Sequence, residues 1–224
     1  MAGVKVLAFD CSTQACSVAV RIDGRSVVSR RVPMARGQSE ALLPMVIQAL
    51  AEANLAWADL TLIGVTVGPG TFTGVRIGLA AARGMALAGS VPLAGVTTTE
   101  AVANSVPAAE RGGRTLVVAI DGKRADLFLQ AFSEDLTALG QPIALLPEVA
   151  ARQFPGPLLL AGDAVGRLFA LRPDAVLSQA SGVPDPAIVA ALAEARFLGG
   201  LALPPNPLYL RPADVTLAKL GAGR

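Results

Sequence analysis

Apolar residues run from Val4 to Phe9, stop at Asp10, and resume through Val18, Val20 and Ile22 before the Asp23-Gly24 turn signal. This alternation predicts a strand, a polar turn over residues 10–15 and a returning strand. A further strand-like segment at 26–32 leads into the stretch 39–53, where Leu43, Val46, Ile47 and Leu50 fall at i, i+3, i+4 and i+7. That spacing predicts a helix. Leu42, Met45 and Ala49 widen its apolar face beyond one core contact, and Pro44 demands a late start or a kinked first turn. Residues 60–67 then read as a strand, 68–74 as a glycine-bearing loop and 75–87 as a second helix containing Gly78 and Gly84. Strand, loop and helix in succession indicate an α/β chain. A short strand is expected at 92–96, a helix at 97–106 with threonines available to cap it, and a linker at 107–114.

Beyond the linker the pattern restarts. Val118-Ala119-Ile120-Asp121 repeats Leu7-Ala8-Phe9-Asp10, and a polar turn and a returning strand at 126–132 follow. The repeat points to an internal duplication, with one half at 1–106 and a degenerate second half at 107–224. The second half also offers a strand at 157–160 running into Ala161-Gly162-Asp163. Its helix is opened by Asp185 as cap with Pro186 in the first position and closed by Gly199 and Gly200. The proline-rich tail at 203–224, carrying Leu208-Tyr209-Leu210-Arg211, is expected to pack along the surface of one half.

Composition removes several chemistries. The chain has 224 residues and no histidine, so Ser-His-Asp and Cys-His hydrolysis and imidazole-ligated metal sites are excluded. Its 2 cysteines cannot build a four-thiolate site or a disulfide framework, and ordinary thiols in a reducing cytoplasm are expected. The opening segment carries Lys5 and meets Asp10 where a signal peptide needs its apolar core. The charge-free run between Arg83 and Glu100 is interrupted by Gly84, Gly89 and Pro92 and falls short of the about 20 apolar residues that span a bilayer, so no membrane association is expected. A net charge of +2 does not mark an autonomous nucleic-acid binder. Locally, Lys5, Arg21, Arg25, Arg30, Arg31 and Arg36 make the N-terminal end basic, as a solvated face or as a nucleic-acid patch.

Three segments invite a chemical reading. Asp10-Cys11-Ser12-Thr13, at a strand-to-turn junction, suits a nucleotide phosphate with its hydroxyls donating and Asp10 holding a hydrated cation; a plain Asx turn fits the same residues. Asp121 stands in the corresponding place, but Gly122, Lys123 and Arg124 replace the hydroxyls. The loop from Gly68 to Gly74 precedes a helix, yet it lacks the Gly-Lys-Ser/Thr of a Walker motif, and Thr73 stands where a dinucleotide fingerprint needs its third glycine. In the helix that follows, Gly74, Gly78 and Ala82 form a row of small residues suited to close approach of another helix, internal or foreign. Together with the wide apolar face at 39–53, this row makes a helical protein interface the economical reading. Cys11 and Cys16 flank the turn and are taken as two half-buried thiols rather than a redox pair.

The segment from Leu7 to Ala19, the segment from Ser39 to Met45 and above all Gly68-Pro69-Gly70-Thr71-Phe72-Thr73-Gly74-Val75-Arg76-Ile77-Gly78 resemble the TsaB (formerly YeaZ) family of bacterial tRNA threonylcarbamoyladenosine biosynthesis proteins. Resemblance extends to Ala119-Ile120-Asp121 and Tyr209-Leu210-Arg211 and thins between residues 133 and 204. It implies an ASKHA-type α/β fold of two ribonuclease H-like halves, each a mixed sheet flanked by helices. It also implies a catalytically silent, glycoprotease-like subunit without protease activity, acting with the related TsaD and the ATPase TsaE and reaching tRNA through the complex. In the absence of TsaD a homodimer is implied. Carried onto this chain, the interface falls on Leu43, Val46, Ile47, Leu50, Gly74, Arg76, Gly78 and Ala82. No cofactor is required; a weak ATP or ADP site with magnesium at Asp10, Ser12, Thr13 and Asp121 stays open, as does the alternative of an ASKHA-type phosphotransferase or ATPase using Asp10 and Asp121. Where relatives often carry histidine ahead of the first helix, this chain has Gln38.

Overall fold

Strand β1 (Lys5–Asp10) sends Leu7 and Phe9 to one face of its sheet and Val6 and Ala8 to the other, and helices cover both. The period of two thus builds two cores from one strand. In the computed structural model, which describes residues 3–211, β1 pairs antiparallel with β2 (Ala15–Ile22), and β2 pairs with β3 (Arg25–Pro33). On its other side β1 runs parallel to β4 (Leu62–Thr66), which is followed by β5 (Leu93–Val96), giving the order β3-β2-β1-β4-β5. Helices α1 (Gln38–Glu52) and α2 (Phe72–Gly89) lie side by side on the Leu7/Phe9 face.

Two short helices, α3 (Thr98–Ala103) and α4 (Ala108–Arg111), lead into the second sheet. Its strands are β6 (Thr115–Asp121), β7 (Leu127–Phe132), β8 (Ile143–Leu145), β9 (Leu158–Ala161) and β10 (Val176–Leu177). Antiparallel pairs β6/β7 and β7/β8 and parallel pairs β6/β9 and β9/β10 repeat, strand for strand, the order and sense of the first sheet. The duplication read from the two Asp-ended strands is therefore carried by the whole topology, and the fold is the expected α/β pair of mixed sheets flanked by helices. Two further short helices, α5 (Pro147–Gln153) and α6 (Val165–Phe169), cover one face of this sheet through Ala150 and Leu168.

The remaining faces are covered by exchange. From the first half, α3 lays Val102 and Ala103 on the second sheet, against Val118, Ile120 and Phe132. From beyond the second sheet, α7 (Pro186–Leu198) returns to the first sheet and packs Val189, Ala190 and Ala193 on Val6, Ala8 and Leu62. Gly64 makes this approach feasible, because a Cβ there would lie 2.8 Å from the Ala193 Cβ. An ion pair at 2.6 Å between Arg21 on β2 and Glu194 on α7, both largely buried, fixes the helix on the sheet.

Element boundaries follow local chemistry. The second helix begins at Phe72, ahead of the expected residue 75, because the Thr71 hydroxyl caps it by accepting the Gly74 N–H at 3.2 Å. Asp185 caps α7 by accepting the Ala187 N–H at 2.8 Å, with Pro186 in the first turn as anticipated. The expected linker at 107–114 contains α4. Pro44 sits inside α1, which starts early, at Gln38.

Candidate functional site

Asp10 stands at the C-terminal end of the central strand β1 and is fully buried, as is Ser12. Its Oδ1 accepts three hydrogen bonds, from the Ser12 N–H at 2.9 Å, the Ser12 hydroxyl at 2.5 Å and the Thr66 hydroxyl at 2.6 Å. Burial pushes the Asp10 carboxyl above its ordinary range, against the lowering effect of those bonds. The Thr98 hydroxyl donates to Ser12 Oγ at 3.0 Å, and the Ser12 carbonyl accepts the Thr71 N–H at 2.7 Å. The loop ahead of α2 consequently roofs the turn. A Cβ on Gly70 would lie 2.2 Å from the Ser12 carbonyl oxygen, and one on Gly74 would lie 1.9 Å from that of Cys11.

The second turn is organised differently. Asp121 accepts from the Lys123 N–H at 2.8 Å and from the Lys123 ammonium at 2.7 Å, while its own N–H donates to Asp163 at 2.8 Å. Partial burial raises the Asp121 carboxyl, and the Lys123 hydrogen bonds outweigh this and hold it below the ordinary range. Desolvation pushes the Asp163 carboxyl up.

These donor sets do not fit a hydrated magnesium ion carrying a nucleotide phosphate. The Ser12 hydroxyl is already spent, donating to Asp10 and accepting from Thr98, an ammonium already occupies Asp121, and Asp10 Oδ2 and the Thr13 hydroxyl, although without a partner, are buried away from solvent. Nor do Asp10, Ser12, Thr13 and Asp121 line the cleft that opens between the start of α2, the second turn and the tail. That cleft, of about 660 Å³, is bounded by the start of α2 at Gly70 to Thr73, by Gly122, Lys123 and Arg124 of the second turn, and by Leu208 to Arg211 of the tail.

The tail spans both halves instead of following one. Leu203 bridges Gly95 at the free edge of β5, and the Leu208 N–H donates to the Val67 carbonyl at 2.7 Å. Tyr209 packs against Phe72 with ring centroids 5.5 Å apart, and its hydroxyl accepts from Arg76 Nε at 2.9 Å. Arg211 then pairs with Asp126 at 3.0 Å, donates to the Gly122 carbonyl at 2.7 Å and lies over the Phe128 ring. The part of the tail at 212–224 lies outside the described residues. Tyr209 and Arg211 stand out in the sequence, whereas the stack on Phe72 and Arg76 does not. The signal is a lone tyrosine in a proline-rich tail, and of the residues it meets Arg76 is 133 positions away and Phe72 a turn of helix further.

The expected interface residues separate into two groups. Leu43 and Ile47 are 52% and 60% exposed on the outer side of α1, whereas Val46 and Leu50 point inward and join Leu42, Met45 and Ala49 in the core. The four residues are thus not one stripe. Their apolar neighbours are nearly continuous from Ala41 to Leu50, so spacing alone allowed more than one inward face. The row Gly74, Gly78 and Ala82 is also buried: Gly74 rests on the Cys11 carbonyl and Gly78 faces Val65. These small residues let α2 approach its own hairpin and offer nothing to another molecule, which corrects their assignment as a docking row. Arg76 is exposed and lies 3.6 Å over the Phe72 ring, and Leu87, at the far end of α2, is 84% exposed.

The basic N-terminal end is largely committed within the chain. Lys5 pairs with Asp59, Arg21 with Glu194, Arg30 with Glu52 and Arg31 with Asp185. Among the described residues no group of three or more Cys, Asp or Glu stands ready for a metal ion, and no helix is long and apolar enough to cross a membrane.

Residues 32–156 match the sequence profile of a family described as TsaD: tRNA N6-adenosine threonylcarbamoyltransferase. The chain is 35% identical over 133 residues to the tRNA threonylcarbamoyladenosine biosynthesis protein TsaB of Escherichia coli; the match covers 59% of this chain and 56% of that relative, so it spans little more than half the relative's length. An uncharacterized protein of Mycobacterium tuberculosis is 36% identical over 217 residues, covering 93% of this chain and 92% of its own. The solved structure of YeaZ from Pseudomonas aeruginosa superimposes with a TM-score of 0.79 at 28% identity, covering 92% of this chain and 100% of that one.

Proposed function

The chain belongs to the TsaB (YeaZ) branch of the TsaD family, whose named members serve tRNA threonylcarbamoyladenosine biosynthesis, and from that premise we propose that it is a non-catalytic subunit that binds and supports TsaD during threonylcarbamoyl transfer to tRNA adenosine. The observation that carries the reading is the outward pair Leu43 and Ile47, one turn apart on α1 and each more than half exposed. Apolar side chains so placed gain free energy when a partner covers them. With Leu87 on the neighbouring helix they supply the apolar part of a docking face, on the side of the first sheet opposite α7.

TsaD is the proposed occupant, and in its absence a second copy of this chain takes the same face, so that homodimer and heterodimer compete. TsaE joins through the complex, tRNA is met indirectly, and the assembly works in the cytoplasm. No cofactor is required of this subunit. The rival reading, a phosphotransferase or ATPase built on Asp10 and Asp121, is disfavoured by the roofed first turn and by the Lys123 ammonium seated on Asp121.

Co-expression with TsaD tests the proposal. The double variant Leu43→Asp, Ile47→Asp is expected to lose co-purification while keeping the wild-type circular dichroism spectrum and melting temperature. Undiminished co-purification would sink this interface. Size-exclusion chromatography of the same variant alone reports on the homodimer, which is expected to dissociate.

A further inference from the structure

Cys11 and Cys16 are both fully buried, and their sulfur atoms lie 3.8 Å apart. The last paired positions of the β1/β2 ladder are Asp10 and Ser17, so Cys11 and Cys16 are the next cross-strand pair outward in the same register. Directly opposed residues of an antiparallel ladder have Cα atoms about 4.5–5.5 Å apart, inside the range of about 4.4–6.8 Å that a disulfide bridges. The two side chains already point at each other, so only the sulfur separation has to close, to about 2.05 Å. No cysteine other than these two exists in the chain to compete for the bond.

We propose that Cys11 and Cys16 form a modification site, a thiol pair that closes reversibly into a cross-strand disulfide when a peroxide-class oxidant reaches it. The 3.8 Å contact lets either thiol donate to the other; with Cys11 as the donor, that bond favours the Cys16 thiolate while the bond and burial hold the Cys11 proton in place, and Cys16 is the attacking sulfur. Attack on hydrogen peroxide forms an S–O bond, breaks the O–O bond and releases one water, leaving a sulfenic acid on Cys16. The Cys11 sulfur then attacks that sulfur, forming the S–S bond and breaking the S–O bond. Its proton leaves with the hydroxyl as a second water. Two thiols and one peroxide thus give one disulfide and two waters, and a dithiol reductant reverses the outcome.

Access is governed by α2. The first turn of that helix rests on the Cys11 carbonyl through Gly74, and the Cβ position of Gly78 lies 3.9 Å from the Cys11 Cβ. Peroxide therefore meets the pair during local opening of the 70–78 segment. Once closed, the bond fixes the turn on which the same helix is seated. The assignment is independent of the TsaD reading, since it concerns only residues of this chain.

The full-length reduced chain, incubated with hydrogen peroxide, quenched in acid and digested with trypsin, provides the test. Both cysteines fall in one peptide, between Lys5 and Arg21. That peptide is expected to become lighter by two hydrogen atoms, with both thiols lost together, the protein remaining a single chain on non-reducing gels, and dithiothreitol restoring the original mass. In glutathione buffers of graded ratio the two thiols are expected to titrate as one unit. Cys16→Ser, or Cys16→Ala should the serine variant fail to fold, is expected to abolish the mass loss. The proposal is overturned if native protein keeps both thiols while the guanidinium-unfolded chain loses them. It is equally overturned if oxidation yields only glutathione adducts on one cysteine, or only bonds between chains.

Discussion

The backbone N–H of Thr71 donates a 2.7 Å hydrogen bond to the carbonyl of Ser12, joining the loop that caps α2 to the turn that follows β1. One bond between main chains brings together the two most distinctive segments of the sequence. It also explains their composition, because only glycine tolerates the distances that result at positions 70 and 74.

Gly70→Ala forces a methyl group to within 2.2 Å of the Ser12 carbonyl oxygen, an atom held in place by Thr71. Neither backbone has room to shift without losing that bond. A loss of about 1–3 kcal/mol or more is expected from overpacking, read as a lower midpoint in urea unfolding.

Gly78→Ala has the opposite expected sign. Its new Cβ would meet Val65 at 3.6 Å and Cys11 at 3.9 Å, which is ordinary contact. Replacing a mid-helix glycine by alanine contributes about 0.5–1 kcal/mol, so the melting temperature should rise. A bulky Gly78→Leu should instead lower it, because the position faces the interior.

Asp10 makes stability depend on pH. Its folded pKa is raised above the ordinary 3.8, so the folded state binds the proton more tightly than the unfolded one. The contribution is fully present below that ordinary value and is lost as pH rises through the raised one. Asp10→Asn retains an oxygen to accept from Ser12 and Thr66 and cannot ionise. The unfolding free energy of wild type relative to this variant is expected to fall as pH is raised from acidic to neutral; a difference constant with pH would contradict the buried, proton-retaining carboxyl.

Arg211→Ala removes the ion pair with Asp126, the bond to the Gly122 carbonyl and the cover over Phe128. The expected cost is about 1.5–3 kcal/mol, the range for hydrogen bonds to charged groups. Faster hydrogen exchange at the Leu208 amide and earlier cleavage of the tail by a nonspecific protease should report the release.

Strands and capped helices were readable because their signals are local. Strand β1 ends where Asp10 interrupts the apolar run, and α7 starts where Asp185 and Pro186 stand together. Repetition of Asp10 by Asp121 gave the duplication that the two sheets display in full. Spacing does not divide the interface residues of α1 into the outward Leu43 and Ile47 and the inward Val46 and Leu50, because Ala41 to Leu50 is too uniformly apolar to single out one buried face. Closure of the Asp10 turn was hidden for a different reason. It depends on Thr66, Thr71 and Thr98, which reach it from three separate elements, and no run of neighbouring residues encodes such a meeting. Short elements such as α4, β8 and β10 carry too few residues to establish any period.

The exchange of α3 and α7 between the sheets bears on how the chain is made. During synthesis β1 to β5 leave the ribosome long before α7 exists, so the side bearing Val6, Ala8, Leu62, Ala94 and Val96 stays wet and adhesive until the codons of α7 have been read. A polypeptide stopped at residue 106 keeps that greasy side bare and is expected to clump or be degraded. When it is supplied together with the missing piece as a separate polypeptide, the two fragments are expected to find each other and reassemble.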